Sequence, residues 1–448
     1  MKRIPRVAAD HWLTGSITSY KNNPLGFLQS NAQKHGDIYQ FRIAHQIYNV
    51  VNRPEYVQHV LQKNQKNYKR HYAYRVLTLL VGKGVLTTDG EAWKEARRRL
   101  QPHFHKKNIL SYFEIIDQQA RQMTTTWKDK KKVLLLSEMT RITLSIISDC
   151  FLGGSEPKSP EIVEKNLPYA LETVLDRIQS PIQPPLWVPT KKHRLFKEKL
   201  RNIEALITKI IKKKEQEGNF YEPDLISMFL LMEREGEYIS KQQIFDEIIT
   251  IFAAGHETTA NALFSLIKHI QEHPDVEQKV RDEFDAVTGH TPLTVEHLPN
   301  LKYVNKVINE SLRLSTPVWS IGREAILDDH IDGFKIKKGQ NVLLSPYLIH
   351  RNPELWQNPE KFDPDRFDQP LKHKYAYFPF GGGPKLCIGM GLALMEMQVI
   401  LYHILKADFR MDLERSKDIP FETSLTLRAK KDIELTENNS KKVLGTVY

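Results

Sequence analysis

The pattern of apolar and polar positions predicts a largely helical protein. From residue 89 to about residue 314, apolar side chains recur every three or four residues, as they do on amphipathic helices. Proline- and glycine-rich segments interrupt this pattern at residues 153–160, at residues 180–189 and at His273-Pro274. Residues 245–270 are apolar on most faces, so we predict that they form a long helix through the core.

Short strands are predicted on both sides of the helical region. Residues 37–52 alternate between apolar and polar, which indicates an antiparallel hairpin, and Pro54 then suits the first turn of a helix. Strand-like stretches return after Leu314 and again over residues 421–435. The predicted fold is therefore mainly α with small peripheral β-sheets. We expect one domain over residues 1–448, because no linker, low-complexity tract or repeat divides the sequence.

Composition narrows the cellular setting. Hydrophobic residues at 40% and charged residues at 27% are ordinary for a globular protein. Pro5 and Asp10 interrupt the first segment, and no run reaches the roughly 20 apolar residues of a membrane span. Two cysteines, Cys150 and Cys387, cannot form a disulfide framework. We therefore expect a cytoplasmic protein without a transmembrane segment.

The charge balance favours an acidic partner. Lys and Arg number 65 against 54 Asp and Glu, a net charge of +11. Such an excess suits nucleic acid, an anionic surface or an acidic protein. The basic residues are scattered along the chain, which argues against nucleic acid.

Cys387 is the main candidate for chemistry. It follows the glycines of "GGGPKLCIG" (381–389) and precedes an apolar helical segment. A free cysteine is often only a small buried hydrophobe, which is how we interpret Cys150. At a helix start, however, N–H groups and the helix dipole stabilise a thiolate, which can bind a metal. Zinc and iron–sulfur sites need about four protein ligands, whereas haem iron needs a single axial one. The loop therefore suggests haem bound through Cys387.

The predicted core helix carries a polar cluster at its centre, formed by Gly255, Glu257, Thr258 and Thr259. In one interpretation the threonines bond back to helix carbonyls and Glu257 meets a cation. In the other, Gly255 and the threonines loosen the helix beside a ligand, and the hydroxyl and carboxylate form a proton relay.

Two further groups of residues have the spacing of helix neighbours. Glu310 and Arg313 are three positions apart, and Arg366 could complete a buried network with them. Trp93 and Arg97 are four positions apart, and their N–H groups would suit the two carboxylates of a haem. Each group alone is also typical of ordinary helix surfaces.

Taken in order, the segments "WKEAR", "AAGHETT", "ESLR", "FDPDRF" and "FGGGPKLCIG" resemble the cytochrome P450 superfamily, and the likeness runs from about residue 20 to about residue 435. The last segment is similar to the family's haem-binding loop at Phe380, Gly383, Lys385, Cys387 and Gly389. Lys385 stands where Arg or His is usual, so it keeps a positive charge but loses the planar fork.

The resemblance implies a cytochrome P450 fold with haem between the core helix and the Cys387 loop. It implies haem b held without a covalent link, since Ala254 stands where a haem-esterifying branch has Glu. It implies that Cys387 is the axial thiolate and that Glu257 and Thr258 deliver protons. The residues implied to contact the haem propionates are Trp93, Arg97, Arg323 and Lys385. Glu310, Arg313 and Arg366 match the family's structural triad.

The implied reaction inserts one oxygen atom of O2 into a lipophilic molecule such as a fatty acid or terpenoid. Electrons would come from a separate acidic ferredoxin or flavodoxin with its reductase, because the roughly 60 residues after Cys387 leave no room for a fused reductase. We expect Lys94, Arg98, Arg99 and Lys385 to make one face positive.

By the same resemblance, the substrate pocket is lined from residues 70–86 and 165–190, by Phe252 and Ala253, and from 316–320 and 424–426. The alternatives are a haem-thiolate peroxygenase or isomerase, which commonly lacks the acid–alcohol pair, and a non-catalytic haem-binding or sensor protein.

Overall fold

Helices dominate the computed structural model, which describes residues 2–154, 156, 158–180, 184–218, 220, 224–237, 239–416 and 419–438. The α-helices are α1 (Ile17–Asn22), α2 (Pro24–His35), α3 (Pro54–Gln58), α4 (Tyr72–Val81), α5 (Gly90–Leu100), α6 (Lys106–Ser111), α7 (Phe113–Lys130), α8 (Leu135–Leu152), α9 (Ser159–Gln179), α10 (Lys191–Glu217), α11 (Leu225–Arg234), α12 (Lys241–Glu272), α13 (Pro274–Thr288), α14 (Lys302–Leu314), α15 (Pro346–Ile349), α16 (Met390–Ala407) and α17 (Leu413–Ser416).

The strands are short and lie in small sheets. They are β1 (Ile38–Ile43), β2 (Gln46–Val51), β3 (Tyr68–Arg70), β4 (Lys132–Leu134), β5 (Ile321–Ala325), β6 (Asp329–Ile331), β7 (Phe334–Ile336), β8 (Asn341–Leu344), β9 (Phe409–Met411), β10 (Phe421–Thr423), β11 (Leu427–Ala429) and β12 (Glu434–Glu437). One sheet has the order β1-β2-β8-β5-β3, and the smaller sheets are β4-β12-β9, β10-β11 and β6-β7. The predicted hairpin pairs Ile38 with Val51 and Ile43 with Gln46. The mainly α fold with peripheral sheets is confirmed.

Local signals explain where the helices begin and end. Helix α12 starts after Ser240, whose side chain accepts from the Gln243 N–H while the Gln243 side chain accepts from the Ser240 N–H. It ends before Pro274, which opens α13. The predicted break at 180–189 falls between α9 and α10, and the break at 153–160 falls between α8 and α9 except for residues 159 and 160, which begin α9. Residues 155, 157 and 181–183 lie outside the described part.

Helix α12 runs through the middle of the largest apolar cluster. It packs against α8, α14 and α16, and Cys150 of α8 is buried there, as predicted. A second apolar cluster lies between the five-stranded sheet and the segment before the Cys387 loop, where it includes Tyr375 and Phe378. Phe380 and Ile388 of the Cys387 loop pack against the first cluster, so the loop lies where the two clusters meet.

Helix α16 is the one described helix that is long and apolar enough to cross a membrane. Its mean hydropathy is 1.2, and 67% of it is buried inside the protein. A core helix passes the same test of length and composition, so α16 is explained by its place in the interior.

Candidate active site

A cavity of about 1080 Å³ lies between α12 and the Cys387 loop. Its walls are mostly apolar and come from α4, the end of α9, residues 317–323 and residues 423–426. The β1–β2 turn and α1 also contribute, which the sequence did not indicate. The volume slightly exceeds the ~300–1,000 Å³ of typical ligand pockets, so it suits a large cofactor together with a second molecule.

The Cys387 loop is shaped by its glycines. Gly383 has φ +67°, and a Cβ there would lie 1.8 Å from the carbonyl oxygen of Leu61. Only glycine fits such a position. The Cys387 N–H donates to the Phe380 carbonyl over 3.0 Å, which closes the loop and directs the thiol into the cavity.

The start of α16 lies behind the sulfur. The helix begins at Met390, slightly later than predicted, and the N–H groups of Gly389 and Met390 still bond the Cys387 thiol. Enclosure by the protein raises the pKa of Cys387, whereas these N–H groups and Arg97 oppose the rise. The thiol is thus removed from bulk water but open to a ligand inside the cavity.

Cationic side chains gather at one edge of the cavity. Trp93 and Arg97, both on α5, line it together, and Arg97 Nη1 donates to the Leu386 carbonyl over 2.9 Å. Arg323 of β5 lines the same edge and is almost fully buried. Arg70 at the end of β3 also faces this edge, where the sequence predicted a cavity wall at 70–86 but no cation, and it already pairs with Asp89 over 3.2 Å. Buried cations need anionic partners, so the edge suits the carboxylates of a bound group.

Lys385 already has a partner in the protein. Its ammonium group pairs with Asp89 and lies 5.6 Å from the centre of the Trp93 ring. Burial, with Arg70 nearby, lowers the pKa of Lys385 to about 8. Asp89 lies 296 positions from Lys385 and was not predicted. A propionate contact from Lys385 stays a prediction, and it would have to share the ammonium group with Asp89.

The polar cluster on α12 faces the cavity without breaking the helix. Thr258 Oγ1 donates to the Ala254 carbonyl over 2.6 Å, and α12 is continuous from Lys241 to Glu272. Of the two interpretations of this cluster, the one in which the helix is loosened is therefore wrong, and Thr258 bonds back to a helix carbonyl as in the other. Gly255 serves close packing instead, because a Cβ there would lie 2.9 Å from Ile147 of α8. Glu257 accepts a hydrogen bond from Thr426 over 2.6 Å.

The structure brings Glu310, Arg313 and Arg366 together. Arg313 makes two bonds to the Glu310 carboxylate, at 2.7 and 2.9 Å, and Arg366 Nε adds a third at 2.9 Å. The Glu310 and Arg313 side chains are 0% exposed. Neither residue lines the cavity, so the network ties α14 to the segment around Arg366.

Two expectations about side-chain direction are wrong. Phe252 belongs to the apolar core and does not line the cavity, whereas Ala253 does. Arg99 is 11% exposed and pairs with Glu95 and Glu237, and Lys385 is 12% exposed and pairs with Asp89, so neither contributes to a solvent-facing positive surface. The directions of Phe252 and Arg99 depend on helix phase.

The comparisons agree with this geometry. The cytochrome P450 family model matches residues 5–436. The chain belongs to the cytochrome P450 family. It is 29% identical to cytochrome P450 4d2 of Drosophila melanogaster, over 85% of this chain and 83% of that protein. It is 28% identical to cyclooctatin synthase of Streptomyces melanosporofaciens, over 90% and 91%. The crystal structure of the cytochrome P450DA heme domain matches with a TM-score of 0.87 and 25% identity, covering 98% of each chain.

Family membership makes the protein a cytochrome P450 monooxygenase with haem b as its cofactor. The residues present fit that group. A thiol opens on a cavity wide enough for a macrocycle, and buried cations line one edge where carboxylates would lie. Across the described residues, no cluster of three His, Cys, Asp or Glu side chains could hold a metal ion. The described residues therefore suit a metal ion whose other ligands come from a cofactor, as those of haem iron do.

Proposed function

We propose that this monooxygenase hydroxylates a fatty acid in its apolar cavity, with electrons from a separate acidic ferredoxin or flavodoxin. The cavity itself carries the substrate proposal. Its walls are apolar, and three exposed basic side chains line its mouth: Lys21, His45 and Arg75. An apolar tube with cations at its entrance suits a long chain that ends in a carboxylate. A neutral terpenoid is the second candidate, since it needs only the apolar walls.

In this proposal each site residue has one task. Cys387 would hold the haem iron through its thiolate, and the bound haem would supply oxygen activation. Phe380, Gly383 and Gly389 give the loop its shape, and the small side chain of Ala254 would leave space for the ring in the cavity. Trp93, Arg97 and Arg323 would hold the two carboxylates of the haem at the cationic edge, with Lys385 beside them.

Glu257 and Thr258 are proposed to move protons. Both line the cavity from the middle of α12, and both are half-buried. The Thr258 hydroxyl donates its proton to the Ala254 carbonyl, so the hydroxyl oxygen can accept a hydrogen bond from a donor in the cavity. The carboxyl group of Glu257, one residue away, can take up protons from solvent and pass them to Thr258.

The redox partner is proposed to bind near the Cys387 loop. Lys94 and Arg98 are 60% and 65% exposed, but each pairs with a glutamate, Glu91 and Glu237. Lys106 and Lys107 of α6 are exposed as well, and Ile109 of that helix packs against Gly391 just after the loop. Exposed positive charge steers an acidic partner and is screened by salt.

The chain is also proposed to form a single domain in the cytoplasm. The two cysteines are free thiols, which supports a reducing compartment.

The central test is the spectrum of the reduced, carbon monoxide-bound protein. Wild type and Cys150→Ser should both show the red-shifted Soret band of a thiolate ligand, and Cys387→Ser should lose it. Retention of that band by Cys387→Ser would contradict the ligand assignment.

The substrate is tested by titrating dodecanoate and dodecanol and following the Soret shift. Dodecanoate should bind about tenfold more tightly, because one charge-assisted contact contributes ~1.5–3 kcal/mol. Arg75→Gln should remove most of that preference. Equal affinities of the wild-type protein for dodecanoate and dodecanol would favour a neutral terpenoid as the substrate.

Turnover separates the remaining alternatives. With ferredoxin, its reductase and O2, a monooxygenase forms product from dodecanoate. A peroxygenase needs added peroxide, an isomerase needs neither, and a sensor forms no product.

A further inference from the structure

Thr426 contacts the carboxylate that we assign to proton delivery. It lies between β10 and β11, and its Oγ1 donates to Oε1 of Glu257 over 2.6 Å. The two residues are 169 positions apart, so the tertiary fold makes the contact. Thr426 is 5% exposed. A distance of 2.6 Å is typical of a hydroxyl donating to a charged carboxylate.

Asn261 fixes the direction of the Thr426 hydroxyl. It lies one turn after Glu257 on α12, is 4% exposed, and places Nδ2 3.1 Å from Thr426 Oγ1. The Thr426 hydroxyl has a single proton, which it donates to Glu257. The amide must then donate to the hydroxyl oxygen. The three side chains form one directed chain that ends on the Glu257 carboxylate.

The turn that carries Thr426 is tied to the cavity wall. Trp319 Nε1 donates to the Ser424 carbonyl over 3.2 Å, and the Leu427 N–H donates to the Pro317 carbonyl over 2.8 Å. Pro317, Trp319 and residues 423–426 all line the cavity. The position of the Thr426 hydroxyl therefore depends on the same wall that a substrate would contact.

We propose that Thr426 and Asn261 are positioning residues that orient the Glu257 carboxylate for proton delivery. The cavity wall at 317–319 holds this arrangement in place through the β10–β11 turn. The inference rests on the proposed roles of Glu257 and Thr258. It adds two residues, outside the acid–alcohol pair, on which the reaction depends.

The first test measures product formed per reductant consumed in the haem-loaded enzyme with dodecanoate. Thr426→Val keeps the shape but removes the hydroxyl, and should lower this ratio about tenfold, part of the ~10²–10⁴-fold that a positioned proton donor contributes. The electrons that no longer lead to product should reduce O2 to hydrogen peroxide, which is measured alongside. Thr426→Ser should restore the ratio. Thr124→Val is the matched control, because that buried hydroxyl on α7 bonds only backbone carbonyls of its own helix.

The second test does not depend on turnover. Thermal unfolding of the haem-loaded Thr426→Val, Glu257→Gln and double variants forms a double-mutant cycle. If the contact exists, the double variant should unfold at about the temperature of the less stable single variant. Asn261→Leu should also lower the product ratio, and it serves as the test variant should Thr426→Val lose its haem band.

The outcomes separate the two proposals. An unchanged ratio in Thr426→Val, beside a lowered ratio in Thr258→Ala, would overturn the positioning role and leave the proposed relay standing. Unchanged ratios in both Thr258→Ala and Glu257→Gln would overturn the relay and this inference together. Additive unfolding effects would show that the contact itself is absent.

Discussion

Glu396 makes the stability of this protein depend on pH in an unusual direction. It lies on α16, lines the cavity and is 2% exposed. Its Oε2 has no hydrogen-bond partner within the described part of the chain. Burial raises the pKa of Glu396 from 4.5 to about 8. The folded protein therefore keeps a proton that the unfolded chain releases.

The sign and size follow from this difference in pKa. Above pH 4.5 the unfolded chain loses the proton, so the free energy of unfolding falls as pH rises toward about 8. Each pKa unit corresponds to ~1.4 kcal/mol, and the folded group is already half ionised at pH 8, so the loss between about pH 5 and about pH 8 is roughly 3.5 kcal/mol. Glu396→Gln removes the titration and keeps the shape of the side chain.

The assay is urea unfolding of haem-loaded wild type and Glu396→Gln, followed by far-ultraviolet circular dichroism across this pH range. The variant should gain stability over wild type steadily as pH rises. Glu114→Gln, which removes an exposed charge from α7, corrects for the general effect of one negative charge. A difference between wild type and Glu396→Gln that is constant with pH would refute the reasoning.

Three further predictions concern the loop, the buried network and the redox partner. Gly383→Ala should prevent haem loading, because its Cβ would overlap a carbonyl oxygen, and normal loading would contradict the loop geometry. Arg366→Leu should lower the free energy of unfolding in urea by ~3–5 kcal/mol, because it leaves the buried charge of Glu310 partly uncompensated. Exposed ion pairs contribute only ~0–1 kcal/mol, so a decrease below about 1 kcal/mol would count against burial of the network. Lys106→Glu/Lys107→Glu should slow first-electron transfer from an acidic ferredoxin and flatten its salt dependence, whereas equal rates at every salt concentration would exclude docking there.

The sequence predicted what depends on neighbours along the chain. The β1–β2 hairpin has a two-residue period, and the glycines around Cys387 form a local loop, so each was recognisable from a short segment. Arg366 beside Glu310 was the one distant pair predicted, and the resemblance to a family, not local spacing, pointed to it. Neither Asp89 beside Lys385 nor Thr426 beside Glu257 has a signal in local spacing, because the tertiary fold alone brings them together.

The second limit on prediction from the sequence was the rotation of each helix about its own axis, its phase. Phe252 and Ala253 are adjacent and both apolar, and only the packing of α12 against α8 decides which of them faces the cavity. The same holds for the neighbours Arg98 and Arg99, of which one is exposed and the other is buried beside Glu237. Composition and periodicity place such residues on a helix without fixing a small rotation about its axis.

The wall of the cavity is assembled from nearly the whole length of the chain, from Ile17 to Thr426. A ribosome adds ~5–20 residues per second, so the first and last contributions emerge roughly 20–80 s apart. The apolar faces of α4 and α12 are therefore made well before the Cys387 loop that closes the site. Cofactor capture must therefore wait until the Cys387 loop has been synthesised, and a nascent chain that stalls before residue 380 presents apolar surface to chaperones.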